Sequence, residues 1–280
     1  MLETNGLNFN YGERSILREI SFSAARGRII SLIGPNGSGK STLLRCLCGL
    51  LPVKKNSVLL FDKPLEKYAP RELSQCIAFL PQAQEKLSSI SVYELVGMGR
   101  TPYHRSGWFF TKEDRRKIDW AIEYMRLEPL AHRPVEMLSG GERQRVWIAM
   151  VLAQDTPIIL LDEPVTYMDM RFQWDLLCVL GDLRDRFRKT IISVFHDINH
   201  ALEISDRVYL LKDGRIYAAG ASEEVITEQS IRDVFEIGTH VCRFKKCRRP
   251  VVVPFGIRGS AEEEATVIAG DEPCPVHILS

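Results

Sequence analysis

Short, largely apolar runs, each ended by turn-forming or charged residues, recur along the chain at Ile29–Ile33, Ile77–Leu80, Ile158–Leu161 and Ile191–Phe195. None alternates apolar with polar positions, so each predicts a central strand of a parallel sheet, covered on both faces. Helical stretches separate them, which is the order of an α/β sheet built by right-handed crossovers. The start of the chain reads differently. Leu7-Asn8-Phe9-Asn10 and Ile20-Ser21-Phe22-Ser23 alternate, and residues 57–61 do so less cleanly, predicting a small antiparallel sheet with one wet face. Val208–Leu211 and Ile216-Tyr217 flank Lys212-Asp213-Gly214-Arg215, where Asp-Gly supplies the positive φ angles of a hairpin turn. Residues 83–154 carry few strand-like runs and many charges, with apolar and charged positions mixed at helical spacing from Lys112 to Arg126. They predict a helical insertion into the α/β body.

Charge narrows the class. The 280 residues include 37 Lys and Arg against 36 Asp and Glu, without the basic excess of a nucleic-acid binder. No apolar run approaches a membrane-spanning length. Met1-Leu2-Glu3-Thr4-Asn5-Gly6 lacks the basic-then-apolar pattern of a secretory signal. The seven cysteines read as reduced cytosolic thiols rather than a disulfide framework. The net charge of +1 sums unlike segments: residues 243–249 hold five Lys or Arg, while residues 261–280 hold five acids and neither Lys nor Arg. Both are expected to be solvated tail segments. Cys242, Cys247 and Cys274, with His240 and His277 nearby, match no standard zinc or iron–sulfur spacing and are expected to be free thiols.

The chemistry begins after the first buried strand. Gly34-Pro35-Asn36-Gly37-Ser38-Gly39-Lys40-Ser41-Thr42 fits a phosphate loop between a strand and a helical run. Its glycines let backbone N–H groups turn toward phosphate oxygens, and the helix that follows points its positive end at the same anion. Lys40 is expected to reach the β- and γ-phosphates of ATP and Ser41 to ligate Mg²⁺. Ile158–Leu161 runs straight into Asp162-Glu163. A carboxylate at the ligand-facing end of a buried strand suits a Mg²⁺-organising acid, here Asp162 acting through a water. Glu163, one residue later, is placed to polarise the attacking water.

A second anion site follows from Leu138-Ser139-Gly140-Gly141-Glu142-Arg143-Gln144-Arg145, which opens the largely apolar run Val146–Ala153. A chain holding one nucleotide does not need two such helix starts, but two copies arranged head to tail would use both. On these residues the chain resembles the ATP-binding cassette family over about residues 2–240. The resemblance implies an α/β P-loop NTPase fold with a RecA-like parallel-sheet core, an N-terminal antiparallel β-subdomain and an inserted α-helical subdomain. It implies a cassette over residues 1–240, with the insertion at about 83–154, and a C-terminal extension over residues 241–280.

The same resemblance assigns further roles. Tyr11 is the aromatic that stacks on adenine. Gln82 contacts Mg²⁺ and links the insertion to the core. Ser139, Gly140 and Gly141 contact the ATP of the partner subunit. Asp169 crosses the dimer interface, and His196 contacts the γ-phosphate. Gly99–Tyr103, Trp147–Gln154, Val194–Ala201 and Pro250–Pro254 look like segments of bacterial importers for ferric siderophores, haem and cobalamin. Asn56-Ser57 stands where a glycine is usual before the strand at Val58, and Met168 where Leu is usual. Neither change touches a phosphate contact.

The implied protein is an ATP-hydrolysing importer subunit, peripheral on the cytoplasmic face of the cell membrane. Its implied partners are a second copy of itself, a separate membrane permease, docked along the edge from Gln82 to Arg105, and a substrate-binding protein. The implied cargo is an iron(III)–siderophore-type chelate, with cobalamin, haem or another metal species as alternatives. A soluble cassette ATPase acting on DNA or ribosomes is disfavoured by the single cassette and the balanced charge, and an exporter half only by the subfamily resemblance.

Overall fold

The computed structural model describes residues 1–82, 89–104, 110–165, 168–245, 247 and 249–257. Cys274, His277, Arg105, Thr166 and Tyr167 lie outside the described residues. The strands are β1 (Leu2–Tyr11), β2 (Arg14–Ala24), β3 (Ile29–Ile33), β4 (Val58–Leu60), β5 (Lys63–Pro64), β6 (Ile77–Leu80), β7 (Ile158–Asp162), β8 (Thr190–Val194), β9 (Arg207–Lys212), β10 (Arg215–Gly220), β11 (Ile237–Cys242) and β12 (Val251–Ile257). The helices are α1 (Lys40–Leu47), α2 (Pro70–Cys76), α3 (Val92–Met98), α4 (Lys112–Tyr124), α5 (Gly140–Gln154), α6 (Met170–Asp185), α7 (Ile198–Ile204), α8 (Ser222–Val225) and α9 (Glu228–Phe235).

The apolar runs become the parallel sheet, in the order β10-β9-β3-β8-β7-β6. Pairing from β9 through β6 is parallel, and β10 closes one edge as the antiparallel partner of β9. Every residue of β3, β7 and β8 is buried. Successive side chains enter opposite layers, as the strand period requires. Ile30, Leu32, Ile158, Leu160 and Ile192 pack in the core shared with α1 and the antiparallel sheet. Ile29, Ile33, Ile159, Leu161 and Ile191 pack in the core shared with the helices. That two-sided burial is why these strands carry no polar alternation.

The alternating segments form the second sheet, β2-β1-β4-β5, all antiparallel. Buried and exposed positions alternate through much of β1. Asn56 takes a φ of 61° just before β4, the left-handed conformation that Asn tolerates better than most residues. Asp213 and Gly214, with φ of 49° and 74°, make the β9–β10 turn. In the helical subdomain α3 and α4 lie against α5. Ser91, Thr111 and Ser139 cap the three helices in reciprocal capping boxes with Glu94, Asp114 and Glu142.

The end of the described chain differs from a solvated tail. β11 and β12 pair antiparallel, with Ile237 opposite Ile257 and Cys242 opposite Val251. Arg243, Lys245 and Arg249 therefore lie between two strands, and residue 241, where the extension was expected to begin, is inside β11. Arg249 Nη1 donates to Glu223 Oε1 at 2.9 Å, and Arg243 bonds the other oxygen of the same carboxylate. Among the described residues no helix is long and apolar enough to cross a membrane.

Candidate functional site

The phosphate loop lies between β3 and α1, and close packing determines its residues. Gly34 has a φ of 155°, and a Cβ there would stand 2.2 Å from the Leu211 carbonyl oxygen and 2.9 Å from Ser38 Oγ. Gly39, at φ 102°, would place a Cβ 2.7 Å from Leu17 Cδ2. No other residue type fits these two positions unless the backbone moves. Lys40 is 5% exposed. Its Nζ donates to the Gly34 and Pro35 carbonyls at 2.8 and 2.9 Å. Burial pulls its pKa below the usual lysine value, with Glu163 and Asp162 opposing that shift. The Ser38 hydroxyl is buried without a partner. Pro35 is half-buried, Asn36 and Gly37 are exposed, and Thr42 is half-buried in the first turn of α1.

β7 brings its terminal carboxylate to this loop. Ser41 Oγ donates to Asp162 Oδ1 at 2.9 Å, while Asp162 Oδ2 is buried without a hydrogen-bond partner. Burial raises the Asp162 pKa above the usual carboxylate value, the neighbouring Glu163 adds to the rise, and the Ser41 bond, Arg45 and Lys40 work against it. A serine hydroxyl beside a carboxylate with an unused oxygen is a hard oxygen donor set, and these residues fit Mg²⁺.

Glu163 turns out of the strand with a φ of 56°. Its carboxylate gathers residues from the ends of two other strands. Gln82 Nε2, just beyond β6, donates to Oε2 at 2.5 Å. His196 Nε2, just beyond β8, lies 2.6 Å from Oε1. Gln82, expected at the metal, thus contacts the carboxylate beside it. Lys40, Ser41, Asp162, Glu163, Gln82 and His196 form one group at the C-terminal ends of the parallel strands, where open α/β sheets bind ligands.

The remaining expected residues stand elsewhere. Ser139 and Gly140 are exposed at the start of α5. Ser139 Oγ donates to Glu142 Oε2 at 2.7 Å and accepts from the Glu142 N–H at 3.3 Å. A Cβ on Gly141 would lie 3.7 Å from Phe172. Asp169 is exposed and caps α6, accepting from Phe172 N at 3.0 Å. Met137 and Met170, close to these two helix starts, are 73% and 74% exposed. Tyr11 is half-exposed at the end of β1 and packs edge-on against Phe9.

Two contacts escape a motif reading. Gln144 Nε2 donates to the Pro164 carbonyl at 2.8 Å, so the helix opened by Ser139 also holds the peptide after Glu163. Arg100 is buried, its Nε donating to Asp114 Oδ1 and its Nη1 to the Ala153 carbonyl, each at 2.9 Å. Both residues lie within motifs visible in the sequence, but their partners are 20, 14 and 53 residues away.

Comparison with known proteins agrees with this arrangement. A family model described as ABC transporter matches residues 17–166. The iron(3+)-hydroxamate import ATP-binding protein of Bacillus subtilis (strain 168) is 39% identical over 95% of this chain and 99% of its own length. The ferric enterobactin transport ATP-binding protein of Escherichia coli (strain K12) is 36% identical over 89% of this chain and 92% of its own. A dimeric ATP-binding cassette in a post-hydrolysis state, bound to ADP and Pi, superposes with a TM-score of 0.69 at 27% identity, covering 79% of this chain and 99% of that one. The chain belongs to the ABC transporter family, as one of its ATP-hydrolysing cassettes.

Proposed function

We propose that this cassette powers uptake of an iron(III)–siderophore-type chelate through a separate membrane permease, from the cytoplasmic face of the membrane. The observation that carries its catalytic part is the carboxylate pair at the end of β7, with Asp162 bonded to the phosphate-loop serine and Glu163 held by Gln82 and His196. Glu163 polarises the attacking water, and His196 and Lys40 contact the γ-phosphate. The phosphate loop from Gly34 to Thr42 cradles the ATP phosphates, and Tyr11 stacks on adenine. Ser41, Asp162 and Gln82 hold Mg²⁺, which supplies charge neutralisation on the phosphate oxygens when bound. The chelate class rests on similarity to the hydroxamate and enterobactin proteins.

Two copies pair head to tail, so that Ser139, Gly140 and Gly141 of one face the ATP of the other and Asp169 lies in the interface. The exposed helix starts and the adjoining Met137 and Met170 support this, because large apolar side chains so exposed mark a surface used for contact. The permease docks on the helical subdomain, where a cavity of about 460 Å³ is lined by Ile90, Glu94, Met98, Thr101, His104 and Phe110. A substrate-binding protein delivers the chelate to the permease. In the Glu163→Gln variant hydrolysis should fall by roughly 10²-fold or more, while ATP is retained and a closed dimer accumulates. Wild-type turnover in that variant would remove Glu163 from the mechanism. Deletion should abolish growth on a ferric hydroxamate as sole iron source, and unchanged growth would overturn the cargo assignment.

A further inference from the structure

Hydrogen bonds and one peptide link join the β11–β12 hairpin to the carboxylate cluster. Asn199, in the first turn of α7, uses its amide as a neighbouring strand would use a peptide group. Val252 N donates to Asn199 Oδ1 at 2.8 Å, and Asn199 Nδ2 donates to the Val252 carbonyl at 3.2 Å. The Asn199 N–H in turn donates to Asp197 Oδ1 at 2.7 Å, capping the helix. Asp197 directly follows His196, whose Nε2 meets Glu163.

The hairpin is fixed from its other side as well. Glu223 bonds Arg243 and Arg249, and Glu228 Oε1 accepts from Val241 N at 3.0 Å. Val252 is 5% exposed and shares a core with Phe195 and Ile198. A seven-residue helix such as α7 is too short to hold its own shape without packing. Its first turn therefore takes its position from what grips it, and Asn199 is the polar grip on that turn. The segments Val194–Ala201 and Pro250–Pro254, noticed separately in the sequence, share this contact.

We infer that the β11–β12 hairpin is part of the ATP site, positioning His196 against Glu163 through Asn199. Asn199 is a positioning residue, and the inference rests on the assignment of His196 to the γ-phosphate. Whatever draws the hairpin from α7 slows hydrolysis without loosening ATP.

The test is steady-state ATPase kinetics on full-length variants. Asn199→Ala preserves helix propensity and removes both bonds. Val252→Pro removes one of them from the opposite side. Each should lower kcat about five- to tenfold, the size of one or two lost hydrogen bonds, with KM for ATP within about twofold of wild type. The double variant should be no slower than the slower single one, because both changes break the same contact. Asn199→Asp keeps the acceptor for Val252 N–H and should fall between Asn199→Ala and wild type. That order decides the question alone if Val252→Pro does not fold. His196→Ala separates the two layers of the argument. If it hydrolyses ATP normally, the assignment of His196 fails. If it is inactive while Asn199→Ala turns over within about twofold of wild type, or if the two hairpin effects multiply, the inference is overturned and the assignment stands.

Discussion

Replacing Arg100 with Met should strongly destabilise the protein although the residue lies outside the nucleotide site. Arg100 and Asp114 are 4% and 3% exposed, with Nε and Oδ1 2.9 Å apart. The guanidinium also bonds the Ala153 carbonyl and lies 3.9 Å from the centre of the Tyr103 ring. One side chain thereby ties the end of α3 to the start of α4 and the end of α5. Burial alone would raise the Asp114 pKa, but the bonds from Thr111 and Arg100 outweigh it and hold the carboxyl below the usual range.

Removing one partner of a buried pair leaves the other charge uncompensated, at a cost of about 3–5 kcal/mol. Thr111 still donates to Asp114 Oδ2 through its N–H at 2.9 Å and its hydroxyl at 2.6 Å, so the lower end, about 3 kcal/mol, is expected. At roughly 2–4 °C per kcal/mol this lowers Tm by about 6–12 °C. Thermal unfolding followed by circular dichroism measures it on Arg100→Met, Asp114→Asn and the double variant. The double variant should recover about half of the Arg100→Met loss, because no charge remains to be buried. The sign with pH is fixed by the depressed carboxyl. Wild type keeps the full contribution above the unfolded Asp pKa of about 4 and loses it as pH falls through the lower folded value, so the gap to Arg100→Met closes on acidification. An Arg100→Met protein melting within about 2 °C of wild type at neutral pH, or a double variant less stable than Arg100→Met, would refute the reasoning.

Further outcomes follow from other contacts. Gln144→Met removes the donor to the Pro164 carbonyl and should cut kcat several-fold with little change in KM, about the effect of one hydrogen bond, whereas Gln144→Lys, which keeps an N–H donor, should restore part; equal rates in all three by ATPase assay would contradict this. Asp155 receives Lys117 and Lys189 at 2.7 Å each. Burial pushes its carboxyl up, but the two ammonium groups more than offset this and hold it low. Asp155→Asn should cost at most about 1 kcal/mol after solvent screening, a difference present at neutral pH and lost below about pH 4 as the depressed carboxyl protonates. Asn tolerates the φ of 54° found there, so backbone strain does not confuse the comparison. Burial pushes the Cys46 thiol up to about 12 and Cys48 to about 11. In native protein at pH 8, mass spectrometry should find alkylation at the exposed Cys178 and Cys247, with Cys46 and Cys48 modified only after unfolding.

Much of the architecture is legible because burial on both faces leaves a plain mark. β3, β6, β7 and β8 are largely apolar runs without alternation, and Asp162 and Glu163 show where one of them leaves the core. The phosphate loop is legible for the same kind of reason, since few residues satisfy φ of 155° at Gly34 with a carbonyl at its back. The hairpin of β11 and β12 is not. Its strands are divided by a basic loop, one contains Pro254, and proline inside a run argues against a strand unless the strand lies at an edge. What holds it, the amide of Asn199, is a pairing between residues 53 apart. Gln144 and Arg100 show the same limit. A motif names the residue type, while the carbonyl it meets depends on how distant elements pack.

The bonding of the site also says what kind of ligand it admits. Groups proposed to face phosphate are already engaged within the chain: Lys40 with two carbonyls, Ser41 with Asp162, Gln82 and His196 with Glu163, and Ser139 with Glu142. A hydroxyl has one proton to donate, so Ser139 cannot keep its bond to Glu142 and also donate to a phosphate oxygen. Binding is therefore an exchange of hydrogen bonds, and a neutral acceptor gains almost nothing by replacing a carbonyl or carboxylate that is already in place. A multiply charged phosphate does better, because it carries more negative charge than the carboxylates it replaces and offers several acceptor oxygens to these donors at once. Two atoms stand outside the exchange. Ser38 Oγ and Asp162 Oδ2 are buried without partners within the chain. The proposed ATP and Mg²⁺ would give these two atoms partners while the other bonds are exchanged. The proposed site is therefore expected to bind ATP and a divalent ion more tightly together than either alone, which nucleotide titration with and without the ion measures.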